Sequence, residues 1–366
     1  MKIIYLTDQM YLHGGVEKMV SQKINYFINY YGYEVFLCTS EQRNKDFIYP
    51  IVSKAHHFDL RVNYFRSKSY FHPLNLIKSV KHFVRLKYLI NTIKPDIIIS
   101  ANNTPEQYFI PFLGNKIPTV KEFHSSGGTL KFDNSIFGKC KQQLFLLLNR
   151  YTTKVVLNPE EKQYYPFDGI EVIPNFIASN TSSPSLKQNT IIAAGRIAPV
   201  KQFEHLIEAW AKIVQDFPNW EVQIYGDGDE QLTQQLQNQI VQLQVPRIEF
   251  KGATQHLDLV MQRGSIYAMT SASECFPMVL LEAQAAGMAV ISYDCPNGPR
   301  NIITHNKNGI LVANQNIDLF AIELKQLIQN EPKQKKIQLN AQQNSTQFSE
   351  DTIMKKWDAL FKSINT

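Results

Sequence analysis

The chain has 366 residues, and at about 150 residues per domain this length predicts two or three domains. Apolar residues make up 44% of the chain and charged residues 19%, which is typical of a globular protein and excludes a disordered one. No apolar run approaches the roughly 18 residues of a membrane-spanning helix, and the N-terminus lacks the apolar segment of a signal peptide.

The four cysteines and nine histidines exclude two common kinds of site. The cysteines lie far apart without a C-x-x-C pair, so they form neither a zinc motif nor a secreted disulfide framework, and we expect a reducing cytoplasm. The histidines show no H-x3-H or H-E-x-x-H spacing, so we predict that no metal is required.

The net charge of +6 is unevenly distributed. Residues 1–170 hold 22 basic and 13 acidic side chains, whereas residues 171–366 hold 16 and 19. A basic first half suggests an anionic partner, such as nucleic acid, anionic lipid or a phosphorylated small molecule. No recognised nucleic-acid motif is present, which disfavours the first of these.

Short apolar strands alternate with amphipathic helices throughout the chain. In the first half a helix begins at Gly14 and Gly15, and a Ser-, Thr-, Asn- and Pro-rich stretch then predicts a linker over 177–189. The pattern restarts with a strand over 190–194 and a helix over 203–217. Strands are predicted at 2–7, 34–38, 96–100, 119–123, 154–157, 170–173, 190–194, 221–225, 247–250, 265–269 and 289–292.

This alternation predicts an α/β protein with two Rossmann-like doubly wound parallel-sheet domains facing a central cleft. The first domain comprises residues 1–176 with a C-terminal crossing helix at 349–366, and the second comprises 190–348. Ligands of such sheets bind beyond the carboxyl ends of the strands, so the loops after strands are expected to carry the chemistry.

The stretch S-A-S-E-C-F-P-M-V-L-L-E-A holds two carboxylates, Glu274 and Glu282, on either side of a predicted helix start. Pro277 suits the first turn of that helix and Gly287 its C-terminal cap. A helix N-terminus attracts a diphosphate, and the carboxylates could accept hydroxyls from a sugar and from a ribose. A surface Glu and a helix-face Glu without a site is the alternative.

Three further post-strand loops fit the same scheme. Arg196 and Lys201 follow the strand at 190–194 and could clamp phosphate oxygens. His124 follows the strand at 119–123, where it could touch a reacting centre or serve only as a structural histidine. The string G-D-G-D at 226–229 resembles a D-x-D metal motif, but we interpret it as a glycine-rich turn.

Together these motifs resemble the retaining glycosyltransferases of family 4, with the GT-B fold. The resemblance spans nearly the whole chain. It rests on four motifs: the Glu-x7-Glu pair, G-R-I-A-P-V-K-Q, the loop G-G-V-E-K at 14–18 and I-P-N-F at 173–176. D-C-P-N-G-P at 294–299 resembles a subgroup that uses UDP-linked galactose or N-acetylhexosamines in bacterial surface-glycan assembly.

The resemblance implies roles for individual residues. Catalysis would involve His124, Glu274, Arg196 and Lys201, with Arg196 and Lys201 on the donor diphosphate. The first glutamate of the pair would contact the donor hexose and the second the ribose. The implied donor-binding residues are Gly14, Gly15, Gly195, Arg196, Lys201, Glu274, Phe276, Met278, Val279 and Glu282.

The predicted activity is transfer of a hexose or N-acetylhexosamine, with retention, from a nucleotide diphosphate sugar to a glycan hydroxyl. The nucleotide sugar is a co-substrate, and neither a cofactor nor a metal is expected. A single-face mechanism and a covalent intermediate on Glu274 both remain open. The alternatives are a nucleotide-sugar epimerase or phosphorylase on the same fold, and a non-catalytic sugar-nucleotide binder or scaffold.

A basic stripe on a predicted helix over 74–93 suggests where the protein works. Lys78, Lys81 and Arg85 share one face at i, i+3 and i+7, together with His82. We predict that this stripe docks on the anionic inner face of the cytoplasmic membrane, where a lipid-linked acceptor would lie. The buried side of the helix is predicted to hold Ile77, Val80, Phe83, Val84 and Leu89. A merely solvated basic face is the alternative.

Overall fold

The chain folds into two compact units, one built from residues 1–174 and 354–366 and the other from residues 175–353. The predicted C-terminal segment of the first domain begins five residues earlier, at 349. Part of the predicted linker, residues 179–185, lies outside the described residues. The computed structural model describes residues 1–113, 116–178 and 186–365.

The first unit is built on a seven-stranded sheet in which every pairing is parallel. Its strands are β1 (Lys2–Thr7), β2 (Glu34–Thr39), β3 (His56–Asp59), β4 (Ile97–Ser100), β5 (Thr119–Glu122), β6 (Thr153–Val156) and β7 (Ile170–Val172). Their order is β3-β2-β1-β4-β5-β6-β7, a doubly wound arrangement with its switch point between β1 and β4. The inner strand β4 is buried along its whole length, as a sheet covered on both faces requires.

The sequence analysis did not predict β3. Its letters, H-H-F-D, lack an apolar run, and three of its four residues are exposed. A strand at the edge of a sheet needs little apolar surface, because only one neighbour pairs with it.

Among the described residues up to 174, four α-helices accompany this sheet: α1 (Gly15–Tyr31), α2 (Pro73–Ile93), α3 (Glu106–Leu113) and α4 (Ile136–Leu146). Helix α1 ends at Gly32, whose φ of 64° is the left-handed conformation that glycine adopts without strain. Helix α2 begins with Pro73 in its first turn, where a missing N–H costs nothing.

The buried face of α2 differs from the predicted one. Leu89 is buried as expected, but Ile77, Val80 and Val84 are 68%, 64% and 59% exposed. His82, which was assigned to the basic stripe, is instead buried. The prediction was wrong because α2 has apolar residues on both faces, and only the packing against the sheet decides which one turns inward.

The second unit has a six-stranded sheet, again with only parallel pairings. Its strands are β8 (Gln188–Ala194), β9 (Glu221–Tyr225), β10 (Ile248–Gly252), β11 (Gly264–Met269), β12 (Ala289–Tyr293) and β13 (Ile310–Val312). The order β10-β9-β8-β11-β12-β13 repeats the doubly wound arrangement and places the switch point between β8 and β11. The short strand β13 was not predicted.

In the described part of this unit, six α-helices lie wholly within it: α5 (Phe203–Ala211), α6 (Glu230–Gln242), α7 (Leu257–Arg263), α8 (Met278–Ala285), α9 (Ile317–Gln329) and α10 (Glu331–Ser345). The apolar stripe predicted for the 203–217 helix is correct, since Leu206, Ile207 and Trp210 are fully buried. The helix itself ends at Ala211, and a 3-10 turn over Val214–Asp216 follows.

A last helix, α11 (Glu350–Ile364), crosses the boundary between the units in the sequence. From residue 354 onward it belongs to the first unit, where Phe361 packs on Phe27 of α1 with ring centroids 5.2 Å apart. Trp357 is 1% exposed and lies under the ammonium of Lys23. Within the described part of the chain, no helix is both long and apolar enough to cross a membrane.

Candidate functional site

In the second unit, the loop after β8 is bonded to the loop after β9. The Gly195 N–H donates to the Tyr225 carbonyl at 3.0 Å, and the Ile197 N–H donates to the Asp227 carbonyl at 2.7 Å. These bonds present the intervening Arg196 at the carboxyl edge of the sheet. Arg196 is exposed, and no described residue forms an ion pair with its guanidinium.

Glycines in the string G-D-G-D allow the loop after β9 to approach the loop after β8 this closely. A Cβ on Gly226 would lie 1.9 Å from the Gly195 carbonyl oxygen, and one on Gly228 would lie 2.3 Å from that of Ile197. Asp229 is the N-cap of α6, where its carboxylate accepts a main-chain N–H of the first turn. The string is therefore a turn that shapes the Arg196 loop, in agreement with our interpretation of it.

Lys201 and Glu274 come together although 73 residues separate them. Lys201 Nζ lies 2.7 Å from Glu274 Oε1, and the two side chains are 20% and 15% exposed. The loops that carry them are tied by two bonds: the Thr270 hydroxyl donates to the Lys201 carbonyl at 3.2 Å, and the Ala272 N–H donates to the Val200 carbonyl at 2.8 Å. The ion pair is thus held by both loops and stays open to a ligand.

The D-C-P-N-G-P string packs against the Glu274 loop. Asn297 forms a parallel bridge with Glu274 and has a φ of 71°. A Cβ on Gly298 would approach the Glu274 Cβ to 2.8 Å, so this position requires glycine. The string therefore supports the backbone of a site residue.

Helix α8 begins and ends close to the predicted positions. Pro277 is its N-cap rather than its first helical residue, and Gly287, with a φ of 70°, follows its C-terminal end. The first main-chain N–H groups of an α-helix have no partner within the helix, and here they belong to Met278 and Val279. Such N–H groups, with the positive end of the helix dipole, are able to bind an anion.

The side chains flanking this helix start differ in their surroundings. Phe276 is 7% exposed and packs on Phe348 with centroids 5.7 Å apart, so its ring stabilises the loop and only its backbone can contribute to binding. Glu282 is half-buried on α8, where it is the fifth residue and comes directly after the first turn.

In the first unit, Gly14 and Gly15 lie at the start of α1, as predicted. A Cβ on Gly14 would lie 2.1 Å from Glu17 Oε2, whereas Gly15 has open space around it. Gln9 holds the loop before them, because its side-chain oxygen accepts the Tyr11 N–H at 2.7 Å and its amide donates to Glu17. The backbone at Gly15 is therefore accessible.

His124 follows β5 and belongs to a buried polar cluster. Its Nε2 lies 2.8 Å from Glu122 Oε2, which Lys23 Nζ also contacts at 2.7 Å. The Tyr5 hydroxyl donates to the other oxygen of Glu122. Three partners thus hold one carboxylate in place, and that carboxylate orients the imidazole.

The charges in this cluster follow from burial and pairing. Burial lowers the pKa of His124, and the hydrogen bond to Glu122 only partly opposes this, so the imidazole is neutral at pH 7. Burial alone would raise the pKa of Glu122, but the Lys23 charge and the His124 bond outweigh it and lower that pKa to about 2. The carboxylate is therefore ionised.

Glu122 and Lys23 were missed in the sequence analysis. A signal existed for each: an acid within the buried strand T-V-K-E, and a lysine on the apolar stripe of α1 beside Ile24. Buried charges almost always require a partner, so two such residues in one domain could have been paired.

The basic stripe of α2 does not present free cations. Each head group donates to a main-chain carbonyl of the segment 60–63, in which Arg61 and Asn63 have φ values of 49° and 53°. These side chains thus hold a strained segment beside β3, while Lys81 and Arg85 remain exposed, and docking of the stripe on a membrane stays a prediction. The bonds run from Lys78 to Asn63, from Lys81 to Arg61 at 3.2 Å and from Arg85 to Leu60.

No group of three or more metal-ligating side chains occurs among residues 1–113, 116–178 and 186–365. Lys201 pairs with Glu274, and Arg196 is exposed on the same loop as Lys201. Metal independence remains a prediction.

Comparison with known families agrees with this geometry. Residues 177–344 match the family "Glycosyl transferases group 1". A lipopolysaccharide outer core galactosyltransferase, WaaB, superimposes with a TM-score of 0.78 over 99% of this chain and 100% of its own, at 20% identity. The matched region belongs to the group 1 glycosyltransferases, and the chain is a glycosyltransferase of the GT-B fold.

The names of curated relatives of this glycosyltransferase refer to bacterial glycans. The amylovoran biosynthesis glycosyltransferase AmsD of Erwinia amylovora is 26% identical over 98% of this chain and 99% of its own length. An exopolysaccharide phosphotransferase of Streptomyces coelicolor is 29% identical over 77% of this chain, but the match covers only 30% of that relative. An α-1,4-N-acetylgalactosaminyltransferase of Campylobacter jejuni, named for an undecaprenol diphosphate-linked glycan, is 24% identical over 82% of this chain and 83% of its own length.

A second solved structure has the same fold with a nucleotide bound. Anabaena HepE in complex with UDP superimposes on this glycosyltransferase with a TM-score of 0.76, at 19% identity over 99% of this chain and 100% of its own.

Proposed function

We propose that this glycosyltransferase moves a hexose or N-acetylhexosamine, with retention, from a UDP-linked donor to a hydroxyl of a bacterial surface glycan. The observation that carries the proposal is the Lys201–Glu274 pair at the carboxyl edge of the second sheet, with the exposed Arg196 on the same loop as Lys201. This edge is where doubly wound sheets bind ligands.

The positive groups of the second unit are suited to a departing diphosphate. Arg196 would clamp phosphate oxygens, Lys201 would add a point charge, and the main-chain N–H groups of Met278 and Val279 would bind the remaining oxygens. Negative charge grows on the diphosphate as the sugar leaves, so preorganised cations stabilise the transition state more than the ground state. In this proposal they make a metal unnecessary.

The carboxylates would position the donor. Glu274 exchanges its bond to Lys201 for hydroxyls of the hexose, and Glu282 accepts hydroxyls of the ribose. Lys201 is then free to turn to the diphosphate. In the first unit, the neutral His124 donates its Nε2–H to Glu122, which orients the ring, so its Nδ1 can accept a hydrogen bond from a hydroxyl at the reacting sugar.

Relatives support the glycan and the nucleotide. AmsD is named for amylovoran biosynthesis and the Campylobacter enzyme for a lipid diphosphate-linked acceptor, whereas the HepE structure contains UDP. From these we propose a polysaccharide or lipopolysaccharide acceptor, lipid-linked, at the inner face of the cytoplasmic membrane.

For membrane contact we propose the exposed apolar face of α2 together with its basic stripe of Lys78, Lys81 and Arg85. Ile77, Val80, Val84 and Tyr88 follow one another at spacings of three and four residues, and each is at least 59% exposed. Phe137, at the start of α4, contacts Phe71 just before α2 and is 51% exposed. Exposed cations such as Lys87 flank this face, which suits an anionic bilayer.

The proposal is tested by nucleotide release across a panel of UDP- and GDP-sugars with a lipid-linked glycan extract. We expect release from a UDP-hexose or UDP-N-acetylhexosamine that depends on the extract, and a product whose anomeric configuration, read by NMR, equals that of the donor. Inversion would overturn the retaining assignment.

The same assay separates the alternatives. Conversion of the nucleotide sugar without acceptor would indicate an epimerase, and sugar phosphate formed from a glycan and phosphate would indicate a phosphorylase. Tight UDP-sugar binding without turnover on any acceptor would indicate a binding protein.

A further inference from the structure

A cavity of about 440 Å³ opens at the carboxyl ends of β2 and β3 in the first unit. The loop 42–47 forms one wall, and residues 57–61 form the other. The volume falls within the range of roughly 300–1,000 Å³ that is typical of small-molecule sites. None of the residues assigned to donor binding or catalysis lines it.

The first wall is held in a defined shape. Gln42 is 3% exposed; its side-chain oxygen accepts the Met10 N–H at 2.9 Å, and its amide donates to the Lys45 carbonyl at 2.8 Å. The Ile48 N–H donates to the Met10 carbonyl at 2.9 Å. The wall is thereby attached to the segment that leads to Gly14, on the same edge of the sheet.

The second wall is held by the cations of α2. Lys81 donates to the carbonyl of Arg61, and Lys78 and Arg85 donate to the neighbouring carbonyls. Both Arg61 and Asn63 adopt the left-handed conformation, which non-glycine residues keep only when their surroundings enforce it. Three long side chains therefore maintain the wall that presents Arg61.

Asp59 lies in this wall with one carboxylate oxygen unsatisfied. Its Oδ1 accepts the Arg61 N–H at 3.0 Å, whereas Oδ2 is buried and receives no hydrogen bond from any residue that the structure describes. An unpaired buried carboxylate oxygen is unfavourable, so a hydrogen-bond donor held in the cavity that Asp59 lines would stabilise this carboxylate. A ligand hydroxyl is such a donor.

An aromatic surface and a neutral imidazole complete the lining. The Phe47 ring meets the His57 ring edge-on, with centroids 5.0 Å apart. The Thr39 hydroxyl lies 2.9 Å from Nε2 of His57, which fixes that ring. Phe47 gives the cavity one apolar surface among polar groups, a combination that suits the apolar face and hydroxyl edge of a pyranose.

The balance of charge selects among ligands. Two cations, Lys45 and Arg61, face two carboxylates, Asp46 and Asp59. Burial lowers the pKa of His57 and the Asp59 charge only partly opposes this, so the imidazole adds no charge at pH 7. A lining without net charge favours a neutral polyhydroxyl ligand over a phosphate or an acidic sugar.

We infer that this cavity binds a neutral pyranose unit of the acceptor glycan, at a distance from the hydroxyl that receives the sugar. Asp59 and Asp46 accept hydroxyls of that unit, Arg61 and Lys45 donate to its oxygens, and Phe47 packs on its apolar face. The acceptor part of this inference rests on the proposed function, whereas the sugar site itself does not.

The test is direct binding of methyl glycosides of glucose, galactose, N-acetylglucosamine and N-acetylgalactosamine to the full chain, followed by saturation-transfer NMR. UDP is present at saturation, and inorganic phosphate and methyl glucuronide are parallel probes. We expect at least one neutral glycoside to bind, and Asp59→Asn and Phe47→Ala each to weaken it roughly tenfold, the effect of losing one charge-assisted bond or one aromatic contact. Asp258→Asn, which removes an exposed carboxylate on α7, is the matched control.

Equal glycoside binding by the wild type and both variants would overturn the inference, as would preferential binding of phosphate or methyl glucuronide. The proposed function fails separately, because glycoside binding requires neither donor nor turnover. In the active enzyme, both variants should raise the KM for the glycan acceptor and leave the Kd for UDP unchanged. Far-UV circular dichroism of each variant shows whether the fold is kept.

Discussion

Lys201 Nζ and Glu274 Oε1 lie 2.7 Å apart at the ends of two loops that follow β8 and β11. Each side chain is the partner of the other, yet both keep some exposure. In the proposed function each exchanges this contact for a part of the donor, the lysine for the diphosphate and the glutamate for the sugar. The pair therefore holds the donor site in shape before the donor arrives.

Arg196→Ala should lower turnover by about 10²–10³, the effect of removing one preorganised group that stabilises developing charge. The fold should be kept, because Arg196 is exposed. Initial rates of UDP release and a thermal melt check both statements. Arg263→Ala, at the exposed end of α7, is the control, and an Arg196→Ala enzyme as active as this control would contradict the phosphate clamp.

Activity should persist in excess EDTA, because the proposed mechanism assigns charge stabilisation to Arg196, Lys201 and the start of α8. The measurement is UDP release with EDTA, and again after addition of manganese or magnesium. Complete loss with EDTA and recovery with either metal would reverse this assignment and turn attention back to Asp227 and Asp229.

Glu122→Gln should destabilise the first unit by about 3–5 kcal/mol, because it leaves the buried ammonium of Lys23 without its counter-charge. Adding Lys23→Met should recover much of this loss, since the uncompensated charge is then gone. Urea unfolding followed by tryptophan fluorescence gives the two free energies. Additive losses in the double variant would show that the ion pair is not the cause.

The free energy of unfolding should fall as the pH drops from about 6.5 toward 3, in part through His82. Burial lowers the pKa of His82 to about 3, so in this window the unfolded state binds a proton that the folded state does not. The loss approaches about 1.4 kcal/mol per pH unit for such a group. Urea midpoints at pH 7 and 5 measure it.

His82→Gln removes this titration, and its stability should depend less on pH than that of the wild type. His256→Gln, at an exposed histidine, should leave the dependence unchanged. The assignment fails if both variants retain the wild-type slope.

Val80→Gln with Val84→Gln should weaken binding to anionic vesicles on the order of 100-fold, because the variant no longer transfers two valine side chains from water into the bilayer, worth about 1.5 kcal/mol each. Vesicle co-sedimentation at low salt measures the change. Val241→Gln on α6, where the valine is 74% exposed, is the matched control. If the wild type does not bind these vesicles, the docking face on α2 is refuted.

The sequence by itself determined the alternation of strands and helices and the order of the site motifs along the chain. Apolar runs and glycine-rich post-strand loops are local signals, and they placed β1 and β9 within their true bounds. The same signals located Arg196, Lys201, Glu274 and His124 at the carboxyl ends of strands.

Only the tertiary structure decided which partners these residues have. The orientation of α2 depends on which of two apolar faces meets the sheet, so the sequence misplaced Ile77, Val80 and Val84. The Glu122–Lys23 pair joins residues 99 positions apart, and the cavity at Asp59 depends on an edge strand without an apolar signal. Sequence periodicity reports the environment of one element at a time, whereas buried charges and cavities arise where several elements meet.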